Sequence, residues 1–395
     1  MIANKYPALM PCYNRLPVAF ERGEGVYLYD TDNKAYLDFA GGIAVASLGH
    51  CHPHLVEVLQ KQAGMLWHTS NMYKIPAQEQ LAERLVEASF ADSVFFTNSG
   101  VEAIECALKL ARKAQSSTGH SERYRVITYQ NAFHGRSLAT ISATGREKLT
   151  KGFGPIIEGF DQVPFLDIEA TRAAITPETA AIMVEPVQGE GGILVANPEQ
   201  FQQLRALADE HGLLLIFDEI QCGMGRSGKL FAFEWSGIDP DIVASAKGIG
   251  SGFPMGACLA KGSVAQHLTA GSHGTTYGGN PLAMAVGNGV MDVMLADGFL
   301  ATVQKNAAYL REKLDELMAE HPETIVDVRG LGLMLGVELS CEARPILEGL
   351  LADGFLCAQA GTNILRLLPP LIITKSDIDT ALTFIKKAVL RVENK

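Results

Sequence analysis

Residues 198–221 read PEQFQQLRALADEHGLLLIFDEIQ. The first half places Phe201, Leu204, Leu207 and Ala208 at helical spacing, with charged and amide side chains between them. Gly212 stands where a helix C-cap calls for a left-handed residue. An apolar run, Leu213–Phe217, follows, and an acid, Asp218, closes it. Amphipathic helix, glycine stop, apolar strand and acid make one helix–strand unit of a sheet covered on both faces.

Working outward, the texture repeats. SVFFTNSG is a strand and turn, and VEAIECALKLARKA places apolar residues at helical spacing. YRVITYQ, AAIMVEP and DIVASA are further short β-type runs. Strands alternating with helices predict an α/β fold with a mostly parallel sheet. Upstream, VYLYDTDNKAYLDFAGG alternates around a D-x-D-N turn and predicts a small hairpin. After about Pro281 come a long helix and a polar helix, then VDVRGLGLMLGVELS and ILRLLPPLII as strands and a last helix. That order predicts a second, α+β domain. The expected division is an N-terminal segment, 1–45, packing with a small C-terminal domain, 284–395, and a large domain, 46–283, between them.

The 395 residues are 47% hydrophobic and 19% charged, enough to bury a sizeable core. Lys and Arg number 33 against 44 Asp and Glu, a formal net charge of −11. An acidic chain with no basic run argues against nucleic acid and anionic membrane partners and for small-molecule chemistry. The 7 cysteines are odd in number and scattered, with no C-x-x-C, as in a reducing compartment. MIANKYPALMPCYNRLP lacks the order of a signal peptide, and no apolar run is long enough to span a bilayer, so a cytoplasmic location is expected.

Ligands of such sheets sit beyond the carboxyl ends of the strands. After VFFT come Asn98, Ser99, Gly100, Val101 and Glu102. Ser99 with Glu102 fits a capping box, an ordinary helix start. The same stretch also leaves N–H groups free at a positive helix end, with a glycine that lets an anion approach. After VITYQ come Phe133, His134 and Arg136, an aromatic plate and two basic groups. After AAIMV, Glu185 and Glu190 lie in a glycine-rich loop. Asp218 is an acid that needs a cation or donors, met either by a structural ion pair or by a ligand. Lys247 follows DIVASA, a single charge in the small and apolar stretch VASAKGIGSGFPMGA.

Two stretches imitate other sites. GMGRSGK, Gly223–Lys229, nearly matches a phosphate loop, but Leu230 stands where a hydroxyl should hold magnesium. GHCHPH offers His50, Cys51, His52 and His54, crowded around a turn-forming Pro53 with no second cluster, so no metal site is expected. GIGSGF is not a dinucleotide fingerprint.

A phosphate nest, an aromatic plate, an acid and a lysine at the strand ends of one sheet meet the needs of pyridoxal phosphate. Here the chain resembles the class III, fold-type I, subgroup II pyridoxal-phosphate aminotransferases, and within them the acetylornithine branch. The stretches carrying the likeness include NSGVEAIECALKLARK, FHGRS, EPVQGEGG, DEIQCGMGRSG, AKGIGSGFPMGA, HGTTYGGNP and LRLLPPL, from about Tyr13 to near the C-terminus. The resemblance implies a large domain with a mostly parallel, seven-stranded-type sheet and a smaller α+β domain. It implies pyridoxal phosphate held covalently by Lys247, its phosphate by Ser99, Gly100, Val101 and, from the other subunit, Thr276. Phe133 stacks on the ring with His134 beside it, Asp218 meets the ring nitrogen, and Gln221 meets the ring hydroxyl. Arg136 takes a substrate carboxylate with Thr275 nearby. Arg366 takes a carboxylate of glutamate and is otherwise masked by Glu190, and Tyr13 lies near the mouth. A homodimer with shared sites is the expected unit, with a small-molecule amino donor and 2-oxoglutarate as partners.

The implied reaction moves the δ-amino group of N2-acetylornithine to 2-oxoglutarate, a step of arginine biosynthesis. Within the resemblance stand ornithine, succinylornithine, succinyldiaminopimelate, 4-aminobutyrate and broad ω-amine transaminases. Ile43 offers an ornithine α-end no hydroxyl and suits an acylated, uncharged nitrogen. A 2,1-aminomutase needs no second carboxylate site, so Arg366 argues against it. A non-catalytic protein on this fold has no use for the full set of chemical groups.

Overall fold

The computed structural model describes residues 8–393. The first residues of the segment read above as lacking a leader lie outside them. The chain begins with an antiparallel meander of β1 (Phe20–Glu24), β2 (Tyr27–Asp30) and β3 (Ala35–Asp38). The middle of the chain supplies β4 (Ser93–Thr97), β5 (Arg125–Tyr129), β6 (Phe160–Val163), β7 (Thr179–Val184), β10 (Leu214–Asp218), β11 (Ile242–Ala246) and β12 (Gly256–Ala260). Between β7 and β10 lies a short hairpin, β8 (Val187–Gln188) and β9 (Leu194–Val195). The seven form one sheet in the order β4-β12-β11-β10-β7-β5-β6.

Strand β12 runs antiparallel to both neighbours, β11 and β4, so β4 points the same way as the other five. Six carboxyl ends therefore emerge along one edge. The central strands β7, β11 and β12 are buried at every position, so the middle of the sheet is covered on both faces. In β10, Ile216 packs with Ala103, Ile104 and Ala107 of the helix Gly100–Ser117 on one face. Leu215 and Phe217 join the core on the other face, with Leu204 and Leu207 of the helix Pro198–His211. That helix ends at Gly212 with φ +63°, the left-handed cap its sequence predicts. Each fully buried Leu, Ile or Phe contributes about 1.5–3 kcal/mol.

The C-terminal region contains β13 (Ile325–Leu331), β14 (Met334–Leu339), β16 (Ala358–Ala360) and β17 (Ile364–Leu367), an antiparallel sheet in the order β13-β14-β17-β16. A two-residue strand, β15 (Phe355–Leu356), instead pairs parallel to β3 of the N-terminal meander. The run ILRLLPPLII is strand only over Ile364–Leu367. Pro369 and Pro370 have no N–H to offer a ladder, and the flanking Leu368 and Leu371 N–H groups bond instead to Phe39 O and Ser47 O. Among the described residues no single helix is long and apolar enough to cross a membrane.

Candidate active site

The helix Gly100–Ser117 starts at the end of β4, and Ser99 is its N-cap. Ser99 Oγ accepts from Glu102 N at 3.4 Å. The return half of the predicted capping box falls one residue earlier. Glu102 Oε2 accepts from Asn98 N at 2.6 Å and from Asn98 Nδ2 at 3.0 Å. First-turn N–H groups have no partner within their own helix, and Gly100 and Val101 line a cavity of about 330 Å³. A Cβ on Gly100 would lie 2.8 Å from Ile220 Cδ1, so a side chain there would have to displace Ile220.

Asp218 closes β10 and is 3% exposed. Its Oδ2 lies 2.7 Å from His134 Nδ1, and its Oδ1 accepts from Ile220 N at 3.1 Å. A carboxylate only accepts, so the proton between them belongs to Nδ1. Burial pulls the His134 pKa down, but the hydrogen bond and charge of Asp218, with Glu185, outweigh it and leave a net rise. His134 Nε2 is buried and has no hydrogen-bond partner among the described residues. Sequence placed these two residues at separate strand ends, and the fold joins them.

Glu185 closes β7 by the same rule that singled out Asp218, yet it was not among the expected site residues. It is 5% exposed and lines the cavity. Its Oε2 accepts from Phe133 N at 3.0 Å, which fixes the backbone of the aromatic plate. Burial, with the charge of Asp218, raises its pKa from 4.5 to about 7 against the pull of His134, the Phe133 N–H and Lys247. The folded chain thus keeps a proton there that the unfolded chain releases near pH 4.5, and stability through this group falls as pH climbs from about 4.5 to about 7. Glu185→Gln, neutral throughout, is expected to melt higher relative to the unsubstituted chain at about pH 8 than at about pH 5, by roughly 2–6 °C. Thermal melts at both values check this, and a constant difference would mean an ionised Glu185.

Lys247 follows β11 in the left-handed region, φ +48°, a strained conformation typical of functional positions. It is partly exposed toward the cavity, and its Nζ makes no hydrogen bond or ion pair with the described residues. Its surroundings are less apolar than VASAKGIGSGFPMGA suggested, because Asp218, Glu185 and Glu190 face it from other strands. Burial is the largest influence and, with Arg366, holds its pKa below the usual lysine value against those acids.

Arg366, on β17, has a 3% exposed side chain, and its Nη2 meets Glu190 Oε1 at 2.7 Å. Its Nη1 donates to Gln221 Oε1 at 3.2 Å, and Nη2 also reaches Gln359 O. Gln221 lines the cavity. Glu190 is 33% exposed, on the hairpin between β8 and β9. A cation, an acid and an amide from three distant stretches thus meet beside Lys247. Arg136 is exposed, with its guanidinium 5.6 Å from the centroid of the Phe133 ring. Thr275 Oγ1 accepts from Gly278 N at 3.1 Å and from Asn98 Nδ2 at 3.4 Å. Thr276 and Tyr13 are exposed and line no part of this cavity.

The two imitating stretches go elsewhere. His50 Nε2 pairs with Asp38 and His54 Nε2 with Asp292, so the histidines have separate partners. In GMGRSGK, Lys229 Nζ donates to Glu234 O and lies over the Trp235 ring.

A lysine, an oriented acid and a helix start thus line one cavity. Residues 10–389 match the family model of class-III aminotransferases, and the chain belongs to that family, whose members depend on pyridoxal phosphate. It is 57% identical over 379 residues to an acetylornithine aminotransferase of Mesorhizobium japonicum, covering 96% of this chain and 95% of that one. Among solved structures, an N-acetylornithine aminotransferase of Stenotrophomonas maltophilia K279a superposes with TM-score 0.85 at 38% identity, covering 97% of this chain and 98% of that one. An ornithine aminotransferase of Toxoplasma gondii, with partial occupancy of pyridoxal phosphate at its active site, superposes with TM-score 0.93 at 32% identity, covering 97% and 93%. The fold is the fold-type I arrangement of pyridoxal-phosphate aminotransferases.

Proposed function

We propose that this chain binds pyridoxal phosphate and moves the δ-amino group of N2-acetylornithine to 2-oxoglutarate, giving N-acetylglutamate 5-semialdehyde and glutamate, in arginine biosynthesis. The observation that carries the reading is the Arg366–Glu190 pair, 2.7 Å apart beside the cavity. A cation neutralised at rest and released on demand serves a two-substrate cycle in which only one substrate brings a second carboxylate. The 57% identity to the Mesorhizobium japonicum relative supports the donor.

The residues present fit the cofactor. First-turn N–H groups stand beside a glycine where a Cβ would press on Ile220, an acid is already oriented by His134, and a lysine with no hydrogen-bond or ion-pair partner among the described residues faces the same cavity. Pyridoxal phosphate, when bound, supplies an aldehyde that takes up amines and a ring that withdraws electrons from the carbon bearing the nitrogen. Gly100 and Val101 would hold its phosphate, with Ser99 beside them. Phe133 would cover a ring face, Gln221 would bond the ring hydroxyl, and Asp218 would keep a proton on the ring nitrogen. Lys247 would hold the aldehyde at rest. Once free, its neutral amine takes the proton from the amine-bearing carbon of the donor as general base. Arg136 binds the donor's carboxylate. For 2-oxoglutarate, Glu190 swings aside and Arg366 takes the second carboxylate.

Ornithine is the second candidate donor, favoured by the higher TM-score to the Toxoplasma gondii enzyme. Backbone superposition reports the frame that both reactions share, whereas side-chain identity reports the pocket, and identity runs the other way. Ile43, 37% exposed, brings no hydroxyl. Rates with each donor and 2-oxoglutarate test the choice. N2-acetylornithine is expected to exceed ornithine at least about tenfold in kcat/KM, the worth of one polar or apolar mismatch. The reverse order would hand the site to ornithine. Glu190→Ala is expected to alter the donor and glutamate half-reactions unequally, by about tenfold in their ratio. An unchanged ratio in single-turnover kinetics would sink the masking role.

The same reading takes a cytoplasmic homodimer as the working unit. Thr276 is exposed on a loop that touches Asn71 through Thr275 O, and Met65, Trp67, Met72, Tyr73 and Tyr277 expose apolar surface nearby. The pairing of β15 with β3 supports grouping 1–45 with 284–395 against a large domain 46–283.

A further inference from the structure

Arg226 lies in the turn after β10, within the stretch that imitates a phosphate loop. It is 1% exposed and heads the largest fully buried side chains. Among the described residues it has no carboxylate partner. Nε and Nη2 are buried without partners. Burial lowers its pKa to about 9. A buried guanidinium with neither acid nor full hydrogen bonding is costly, so its contacts need a use.

Its Nη1 donates to two carbonyls from two other segments, Leu333 O at 3.0 Å and Pro369 O at 2.5 Å. Its own backbone O accepts from Leu333 N at 2.9 Å. The approach is close: a Cβ on Gly332 would lie 2.4 Å from the Ser227 carbonyl carbon. Leu333 sits at the turn between β13 and β14, and Pro369 follows β17, the strand carrying Arg366. Pro369 and Pro370 lack N–H groups, so here this segment is held through a carbonyl. The turn bearing Arg226 also bears Gln221, which accepts from Arg366 Nη1. One turn thus grips both ends of the stretch 366–369, by a side-chain amide at Arg366 and a guanidinium at Pro369.

We propose that Arg226 is a positioning residue that holds Arg366 in place beside Gln221 and Glu190, and through it sets the affinity for the second carboxylate of a dicarboxylic 2-oxo acid. The inference rests on the reading in which Arg366 takes that carboxylate. A guanidinium suits the task because its Nη1 alone carries two N–H donors, one for each carbonyl.

The test uses the holoenzyme with Arg226→Met and Arg226→Lys, and Arg366→Lys as a control. Arg226→Met is expected to raise KM for 2-oxoglutarate about tenfold or more, the worth of hydrogen bonds to a charged group. The single-turnover rate with the amine donor alone, followed by visible absorption, should change less than about twofold, and Arg226→Lys should recover part of the loss. Should Arg226→Met fail to fold, Arg226→Lys is judged by the same split between 2-oxoglutarate KM and donor rate. Equal losses in both half-reactions with a lower Tm would mean a folding residue only and overturn the proposal. So would an unchanged KM for 2-oxoglutarate in the Arg226 variants while Arg366→Lys raises it. An Arg366→Lys variant with unchanged KM would instead overturn the reading of Arg366 itself.

Discussion

Lys247→Ala is expected to lower turnover with N2-acetylornithine and 2-oxoglutarate by at least about ten-thousandfold. The variant removes the amine that takes the proton from the donor carbon, and among the described residues no other amine lines the cavity. A free lysine with pKa about 10.4 is only ~0.04% neutral at pH 7. The site answers this by burial, reinforced by the positive charge of Arg366. Asp218, Glu185 and Glu190 oppose that trend without reversing it. Cofactor affinity should survive, because the helix start at Gly100 and the Asp218–His134 pair do not depend on the lysine. Steady-state rates together with a cofactor titration by visible absorption separate the two effects. Turnover within tenfold of the unsubstituted enzyme would place the chemistry on another group.

Asp218→Asn is expected to cost about a thousandfold in turnover. A carboxylate about 4 Å from a cation is worth roughly 4 kcal/mol at an effective dielectric near 20, or about three pKa units. Without it a pyridine nitrogen in this cavity loses its proton near neutral pH, and the pull on electrons weakens. The substitution also reaches His134. Asp218 supplies the hydrogen bond and the larger charge effect that hold the histidine pKa up, so without it burial pulls that pKa down against Glu185 only. An amide can present either N–H or C=O to Nδ1, and the single orientation imposed by an acceptor-only carboxylate is lost. Rates and the pH dependence of the bound cofactor's absorption check this. A loss smaller than tenfold would mean that the ring-nitrogen proton contributes little here.

Local patterns carried much of the architecture. The apolar runs that became β4, β5, β7, β10 and β11, the glycine stop at Gly212 and the Ser99 cap all depend on neighbours a few residues away. The residues one or two places beyond each strand were legible for the same reason, since parallel strands deliver their carboxyl ends to one edge. Strand β12 was not legible: GACLA is small and short, and its reversal is set by pairing with β4 and β11. Nor does ILRLLPPLII announce that its ladder stops at Leu367 and that the next free N–H groups serve Phe39 and Ser47.

The sequence by itself determined the class of fold, the edge on which the chemistry sits and the residue types that reach it, because periodicity, capping and strand ends are short-range properties. Only the tertiary structure decided which charges meet. His134 with Asp218, Glu190 with Arg366, Glu185 beneath Phe133 and Arg226 against Pro369 all join residues from different strands or loops. Electrostatic energy depends on distance and burial, and both are set by the path of the chain between such residues. That is why Lys247 read as a lone charge among small side chains and stands in the fold among three acids and an arginine.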